Sequence, residues 1–159
     1  MALDRKYEYR RKLPHLQKSE KPLFISFNTK NWWVLPPAAR TIVLENCLAE
    51  HKKRIFLRAA VIMPEHVHLA LWVNRAADGW PHSLPAILKT IKGRSGFQIN
   101  KKLGRNGTVW QRESFDRIPR SENKLDDHIE YIRQNPVRRG LVDKPEDYPW
   151  TWISPEPRT

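Results

Sequence analysis

The sequence predicts an α+β fold, in which short strands form an antiparallel sheet and helices pack against it. Runs rich in β-branched and aromatic residues alternate with segments whose apolar residues recur at helical spacing. Two of the strand-like runs are joined only by Pro64 and Glu65, and so short a link allows only antiparallel pairing. The chain has 159 residues, 40% of them hydrophobic, which fits one domain around a single core.

The first half of the chain contains three predicted strands and one helix. Residues 23–27 are rich in strand formers and follow a proline, so they form the first strand. A pair of prolines opens a helix that is expected to span residues 36–54. Residues 55–63 and 66–73 form the second and third strands.

The second half adds two helices and a further extended segment. Ser83 is expected to cap a helix over residues 84–103. Residues 109–118 are predicted to be extended, in two short pieces. A third helix is predicted over residues 121–135, where a proline stops it, and an irregular, Trp-rich tail follows.

In this order the elements match the split βαβ, or ferredoxin-like, antiparallel sheet, with an additional C-terminal helix. We expect a basic arm over residues 1–21, a single domain over 22–142 and a tail over 143–159 that packs on the domain. This architecture supports many functions, so the function has to be inferred from particular side chains.

Positive charge is concentrated in two segments of the chain. The formal net charge is +12, and the excess lies in residues 1–30, with eight basic and three acidic residues, and in residues 89–139, with thirteen and six. A compact chain with this charge repels itself, so we expect an anionic partner, of which nucleic acid is the best candidate.

A membrane partner is not expected from the sequence. No apolar stretch approaches the ~18 residues of a spanning helix, and the N-terminal residues carry charges where a signal peptide is apolar. The single cysteine, Cys47, excludes an intramolecular disulfide. These features favour a cytoplasmic protein.

His66 and His68 are the first candidate site. They lie two residues apart on a predicted strand, so their side chains project from the same face. Two imidazoles in this arrangement can converge on one divalent cation. The same spacing also arises where two histidines lie on a strand without binding anything.

The last predicted helix is the second candidate site. Leu125, Ile129 and Ile132 form its core stripe, whereas Tyr131 and Asn135 fall together on another face, one turn apart. A tyrosine beside an amide is a candidate nucleophile. A surface tyrosine, followed by an asparagine that ends the helix, would produce the same pattern.

The two candidate sites are chemically complementary. A phenol is a weak nucleophile at neutral pH. A divalent metal held by two histidines and one carboxamide would polarise a phosphodiester toward attack. Together with the basic segments, this combination predicts metal-assisted cleavage of DNA by a tyrosine.

Two motifs resemble a known family. Residues 63–69, MPEHVHL, resemble the His-hydrophobic-His motif of the HUH endonucleases, and residues 128–142, HIEYIRQNPVRRGLV, resemble the tyrosine helix of their single-tyrosine transposase branch. Within that branch the chain is similar to the REP-associated tyrosine transposases, over about residues 10–152. Three further stretches support this narrower resemblance: residues 11–15, 109–116 and 145–150.

The resemblance implies an enzyme that binds single-stranded DNA beside hairpin-forming repeats. Tyr131 would attack a phosphodiester, retain the 5′ phosphate and free a 3′ hydroxyl. His66, His68 and Asn135 would hold Mg²⁺ or Mn²⁺. His128, one turn before the tyrosine, would either influence its proton or lie on the helix surface. A monomer is favoured, with a dimer as the alternative.

Aromatic and basic side chains provide candidates for DNA contacts. Trp32 and Trp33 lie in a predicted loop, where indoles either stack on bases or plug the core. Trp110 and Phe115 are expected in the core, and Trp150 and Trp152 are expected to pack the tail onto the sheet. The remaining candidates are basic: Arg10, Arg11, Lys12, Lys89, Lys92, Arg94, Arg138 and Arg139.

Two other function classes stay open. A non-catalytic module could bind nucleic acid on the sheet, but it would need paired aromatic residues on the central strands. Phe56 and Trp72 lie there, although the histidines occupy the better positions. A metal hydrolase for a small phosphate substrate is disfavoured by the +12 charge and by the absence of a glycine-rich phosphate loop.

Overall fold

The computed structural model describes residues 21–118 and 122–158 of the chain. In these two ranges, five strands form one antiparallel sheet in the order β4-β1-β3-β2-β5, and β1 to β4 have the predicted ferredoxin-like arrangement. The α+β prediction is therefore confirmed. The strands are β1 (Leu23–Asn28), β2 (Ile55–Ile62), β3 (His66–Val73), β4 (Phe115–Arg117) and β5 (Thr151–Ile153).

Among the described residues, three α-helices accompany the sheet: α1 (Pro37–Glu50), α2 (Leu84–Leu103) and α3 (Glu122–Arg138). The predicted cap of α2 is confirmed, because the Ser83 hydroxyl accepts a hydrogen bond from the Ala86 amide at 3.3 Å. Residue 121, where the third helix is predicted to begin, lies outside the described residues. Within the described ranges, no helix has the length and apolar character needed to cross a membrane.

The alternating sequence of β3 gives the sheet two different faces. Val67, Leu69 and Leu71 point into the larger core, which α1 and α2 cover on one side of the sheet. His66 and His68 point to the opposite side, as their spacing predicted. The sheet therefore separates the main hydrophobic core from the histidine pair.

A smaller apolar cluster holds α3 against the histidine face. Ile129 and Ile132 of α3 pack with Val61 and Ala70 of the sheet. In the same cluster the hydroxyl of the buried Tyr148 donates a hydrogen bond to the Ile62 carbonyl at 2.5 Å. These contacts confirm the predicted core stripe of α3 and place the rest of this helix beside His66 and His68.

Helix α1 is shorter than predicted, because it ends at Glu50 rather than near residue 54. His51 leaves the helix and its Nδ1 atom accepts a hydrogen bond from the Leu57 amide at 2.9 Å. Lys52 then adopts a left-handed conformation with φ of 66°. The chain thus turns into β2 at the position where the prediction continued the helix.

Pro136 does not stop α3, contrary to the prediction, but lies inside it. A proline near the end of a helix removes only its own N–H and disturbs one turn, so the backbone can continue for a few residues. Here α3 runs on to Arg138. Gly140, with φ of 70°, then reverses the chain in a conformation that favours glycine.

The tail is more regular than predicted. Residues 151–153 form β5, which pairs antiparallel with β2 and places Trp152 opposite Ala60. Trp150 and Trp152 pack against the main core, as expected. The prediction of an irregular tail is therefore wrong at β5.

Candidate active site

His66 and His68 form the centre of the candidate site. Their ring centroids lie 4.7 Å apart with the rings at 77° to each other. Burial is the main cause that lowers the pKa of both, and it lowers the pKa of His68 to about 4. Both imidazoles are therefore neutral near pH 7, which is the form that can coordinate a metal.

Glu65 orients the first of these histidines. The Nδ1 atom of His66 lies 3.1 Å from Oε1 of Glu65, so its proton is donated to the carboxylate and Nε2 keeps its lone pair. The guanidinium of Arg139 contacts the same oxygen at 2.6 Å. Burial alone would raise the pKa of Glu65, but the opposing effects of Arg139 and His66 are larger, so the net pKa is lowered. This carboxylate is therefore charged at neutral pH.

Tyr131 lies beside the second histidine. Its ring centroid is 5.7 Å from that of His68, in an edge-to-face arrangement, and 46% of the residue is exposed. The guanidinium of Arg138 lies 4.1 Å from the Tyr131 ring centroid and donates to the Tyr131 carbonyl at 2.9 Å. The phenol is therefore accessible and adjacent to the histidine pair, and a positively charged guanidinium lies against its ring.

Asn135 lies on α3 between Tyr131 and Arg139, the residues that contact His68 and Glu65. It is only 5% exposed, and its Nδ2 atom is buried without a hydrogen-bond partner among the described residues. A buried amide is costly unless something satisfies it. This amide is thus suited to a further ligand, and its oxygen could serve once the amide is turned.

A cleft of about 690 Å³ opens beside Tyr131, between α3 and the β1 and β4 side of the sheet. On its α3 wall, the His128 ring stacks on Phe24 of β1 with centroids 3.9 Å apart and an angle of 12°. This stack pins the first half of α3 to the sheet. Burial lowers the pKa of His128, which occupies the wall between Phe24 and Tyr131.

Two curated proteins are similar to this chain. A putative REP-associated tyrosine transposase of Haemophilus influenzae is 30% identical over 99 residues, which cover 58% of this chain and 56% of that protein. The REP-associated tyrosine transposase of Escherichia coli is 24% identical over 95 residues, which cover 60% and 52%. The chain thus spans little more than half the length of the curated relatives it matches. No family model matches it.

The fold gives a second comparison. A structure of the REP-associated tyrosine transposase bound to a REP hairpin superposes with a TM-score of 0.65 over 82% of this chain and 75% of that chain, at 20% identity. The predicted resemblance to the REP-associated tyrosine transposases is confirmed. A bacterial tRNA(His) guanylyltransferase-like protein in complex with GTP also shares the fold, with a TM-score of 0.59 over 87% and 73% of the chains and 9% identity. The fold alone therefore does not decide the chemistry.

The motifs that resemble the REP-associated tyrosine transposases converge in space, although residues 69 and 128, their nearest ends, are 59 positions apart in the sequence. His68 and Tyr131 are in contact, and the turn before His66 is bonded to the residue just beyond α3. The sequence predicts no role for Glu65 beyond the link between the second and third strands. Its link to Arg139 joins distant segments, and no local signal predicts such a pair.

The basic candidates have different surroundings. Arg10, Arg11 and Lys12 lie outside the described residues. Lys89 and Arg94 lie on α2 and are exposed. The amine of Lys92 instead donates to the backbone carbonyls of residues 111 and 113, each at 3.0 Å, so it holds that loop on α2. Burial lowers the pKa of Lys92 to about 8.

The aromatic candidates also separate. Trp32 is 59% exposed and available for stacking, whereas Trp33 packs against the core beneath the guanidinium of Arg105, 4.0 Å from its ring centroid. Trp110 is buried, as predicted. Phe115 is 41% exposed, so the prediction that it lies in the core is wrong. It lies on the short edge strand β4 and lines the cleft beside Tyr131.

Proposed function

We propose that this protein is a transposase-like, metal-dependent endonuclease and transesterase that cleaves and rejoins single-stranded DNA near repeated hairpins. The observation that carries the proposal is the contact between Tyr131 and His68, which brings an accessible phenol beside two neutral imidazoles. Neither group suffices alone, because the phenol needs an activated phosphodiester and the imidazoles provide no nucleophile.

In the proposed step, the Tyr131 hydroxyl oxygen bonds to phosphorus while the bond from phosphorus to the 3′ oxygen breaks. The phenol gives its proton to solvent, which reaches the exposed ring, and the departing 3′ oxygen takes a proton from solvent. The products are a 5′-phosphotyrosine and a free 3′ hydroxyl. Because one phosphate ester replaces another, attack by a 3′ hydroxyl reverses the step and rejoins the strand.

His66, His68 and Asn135 are the residues that would hold a divalent ion, for which we propose Mg²⁺ or Mn²⁺. When bound, such an ion supplies charge withdrawal from the phosphodiester. Three observations support these ligands: the imidazoles are neutral, Glu65 leaves Nε2 of His66 free, and the amide of Asn135 is buried without a full set of partners. Among the described residues, no three His, Cys, Asp or Glu side chains cluster as a metal site. The third ligand that we propose is the Asn135 amide.

The DNA partner is proposed from the charge of the chain and from its relatives. The net charge of +12 suits a phosphate backbone. The relatives are named REP-associated transposases, and the solved structure with this fold is bound to a REP hairpin. We therefore propose hairpin-forming repeats with single-stranded flanks as the substrate, bound by a monomer in the bacterial cytoplasm.

A labelled DNA hairpin with single-stranded flanks, taken from repeats beside the gene and incubated with the protein and Mn²⁺, tests this proposal. We expect a covalent protein–DNA adduct on a denaturing gel, and its loss with EDTA or with Tyr131→Phe. Tyr148→Phe is the matched control, because it removes a phenol hydroxyl that is buried and bonded to Ile62. That variant should retain the adduct.

The other outcomes distinguish the alternatives. An adduct that persists in Tyr131→Phe would overturn the assignment of the nucleophile. Cleavage without an adduct would favour a metal hydrolase. Binding of the hairpin with neither cleavage nor adduct would favour a non-catalytic module for single-stranded nucleic acid.

A further inference from the structure

Phe115, Ser26 and His68 lie side by side across three strands. Ser26 of β1 pairs with His68 of β3 on one side and with Phe115 of β4 on the other. Residues directly opposite each other in an antiparallel pair project from the same face, so all three side chains face α3. Neighbouring strands are about 4.8 Å apart, so the backbone of Phe115 lies about 10 Å from that of His68.

Phe115 presents an aromatic surface at one end of this row. Its 41% exposure contrasts with the buried Phe27 and Trp110, which pack edge to face in the main core on the other side of the sheet. The short side chain of Ser26 leaves the middle of the row open between the Phe115 and His68 rings. An accessible aromatic ring beside such an opening is a surface on which a nucleobase stacks.

Two cations line the same cleft. Arg117 lies in the adjacent row, opposite Phe24, and is exposed. Lys124 lies on the α3 wall, and its amine is 3.8 Å from the carboxylate of Asp127, with both side chains exposed. Such an exposed ion pair is weak, so a phosphate can compete for the lysine.

We propose that this part of the cleft is a subsite for one unpaired nucleotide that adjoins the phosphate attacked by Tyr131. The base stacks on Phe115 with its edge toward the Ser26 hydroxyl, and the phosphate of the nucleotide contacts Arg117 and Lys124. The cleft, at about 690 Å³, falls within the ~300–1,000 Å³ that small-molecule sites occupy. This inference rests on the proposed function, which locates the cut at the Tyr131 end of the row.

Binding measurements with abasic DNA test the subsite. The probe is the fluorescein-labelled hairpin described above, in a series in which one flanking nucleotide at a time lacks its base. Anisotropy titrations in EDTA, with Tyr131→Phe as the parent protein, remove cleavage from the measurement. We expect Phe115→Ala to weaken binding of the intact probe by about tenfold, the typical effect of losing one stacked base.

The decisive result is whether the effects of Phe115→Ala and of removing one base on the binding affinity are coupled. At one nucleotide beside the cut, removing the base should weaken the parent about tenfold and leave Phe115→Ala almost unaffected, because the same contact is lost in both. Phe115→Trp should restore binding of the intact probe. Phe97→Ala is the matched control, because that ring is 70% exposed on α2 and should show no coupling.

Additive effects at every nucleotide would overturn the subsite, and coupling only at a nucleotide remote from the cut would overturn its position. Phe115→Leu keeps most of the apolar volume and lacks a flat ring, so it separates lost stacking from lost stability. The proposed function is tested independently by the adduct. Coupling in the absence of any Tyr131 adduct would refute the transesterase and leave a nucleotide-binding cleft.

Discussion

The guanidinium of Arg139 lies 2.6 Å from Oε1 of Glu65, so the residue just beyond α3 is bonded to the turn that precedes His66. The same oxygen accepts the Nδ1 proton of His66. One carboxylate thereby links the position of the tyrosine helix to the orientation of an imidazole that we propose as a metal ligand. This link can be tested without DNA.

Loss of the Glu65 carboxylate should weaken metal binding. We expect Glu65→Ala to reduce the affinity for Mn²⁺ by roughly 10–100-fold, since groups that orient a ligating histidine have effects of this size. Glu65→Gln keeps an acceptor for His66 and should recover part of the loss. Isothermal titration of the free protein with Mn²⁺ measures the affinity. Glu146→Ala removes an exposed carboxylate near Arg133 and is the control; equal affinities in Glu65→Ala and Glu146→Ala would contradict the prediction.

Asn135 should contribute to metal binding but not to the stability of the metal-free protein. Because its Nδ2 atom is buried without a partner among the described residues, Asn135→Ala should leave the melting temperature of the metal-free protein unchanged or raise it. The rise in melting temperature on adding Mn²⁺ should disappear. Thermal denaturation with and without Mn²⁺ provides both readings.

The control for this variant is Asn46→Ala. Asn46 is also buried, but its amide donates to the Ile42 carbonyl and to the Gln98 side chain, both at 2.8 Å. Its loss should cost about 1–3 kcal/mol while the response to Mn²⁺ persists. Equal destabilisation by the two substitutions would show that Asn135 is fully bonded in the metal-free protein.

His51 should make the stability of the fold depend on pH. Its neutral Nδ1 accepts the Leu57 amide, and burial, with a smaller effect of Lys52, lowers its pKa from 6.5 against the opposing charge of Glu156. The folded protein therefore binds this proton less readily than the unfolded chain. The stabilisation is complete above about pH 6.5 and is lost as the pH falls through the lowered pKa.

A substitution distinguishes the contribution of His51 to the pH dependence of stability from that of the other histidines with lowered pKa values. His51→Asn lacks the titrating ring, so the difference in unfolding free energy between wild type and this variant should shrink as the pH falls from about 7 to about 5. Urea denaturation at several pH values measures the difference. A constant difference over this range would exclude His51 as the cause.

Lys89 and Lys92 form a matched pair on α2. We expect Lys89→Met to lower the slope of log Kd against log salt for hairpin binding by about one, with stability unchanged, if this exposed lysine contacts phosphate. Lys92→Met should leave that slope unchanged and cost about 1–3 kcal/mol, because the amine holds the loop at residues 111–113. Salt titrations and denaturant unfolding of both variants check this. A reduced slope in Lys92→Met would contradict the assignment.

The sheet and the pairing of its central strands were predictable because their signals are local. The alternation along residues 66–73 determines which side chains share a face, and the two-residue link before His66 allows only an antiparallel neighbour. The stripe of Ile129 and Ile132 likewise predicted the buried side of α3. Once the apolar side of α3 packs on the histidine face of the sheet, Tyr131 comes to lie beside His68.

The features that were missed depend on tertiary structure. Phe115 lies in a segment rich in strand formers, but it is exposed because that segment is an edge strand. A single sequence does not reveal which strand lies at the edge of a sheet. Strand β5 forms only because the edge of β2 is open to it. At the end of α1, the hydrogen bond that the Leu57 amide donates to His51 forms only once the chain has turned into β2. The prediction that Pro136 ends α3 is wrong because a proline near the end of a helix disturbs little more than one turn.

Alternate residues of β3 serve the fold and the proposed chemistry. Its odd-numbered residues fill the main core, while its even-numbered residues supply both histidines. Inserting or deleting a single residue at its start would turn every side chain over, moving the imidazoles into the apolar core and the leucines into the cleft. The segment can therefore change during evolution by substitution, but not by the gain or loss of a single residue.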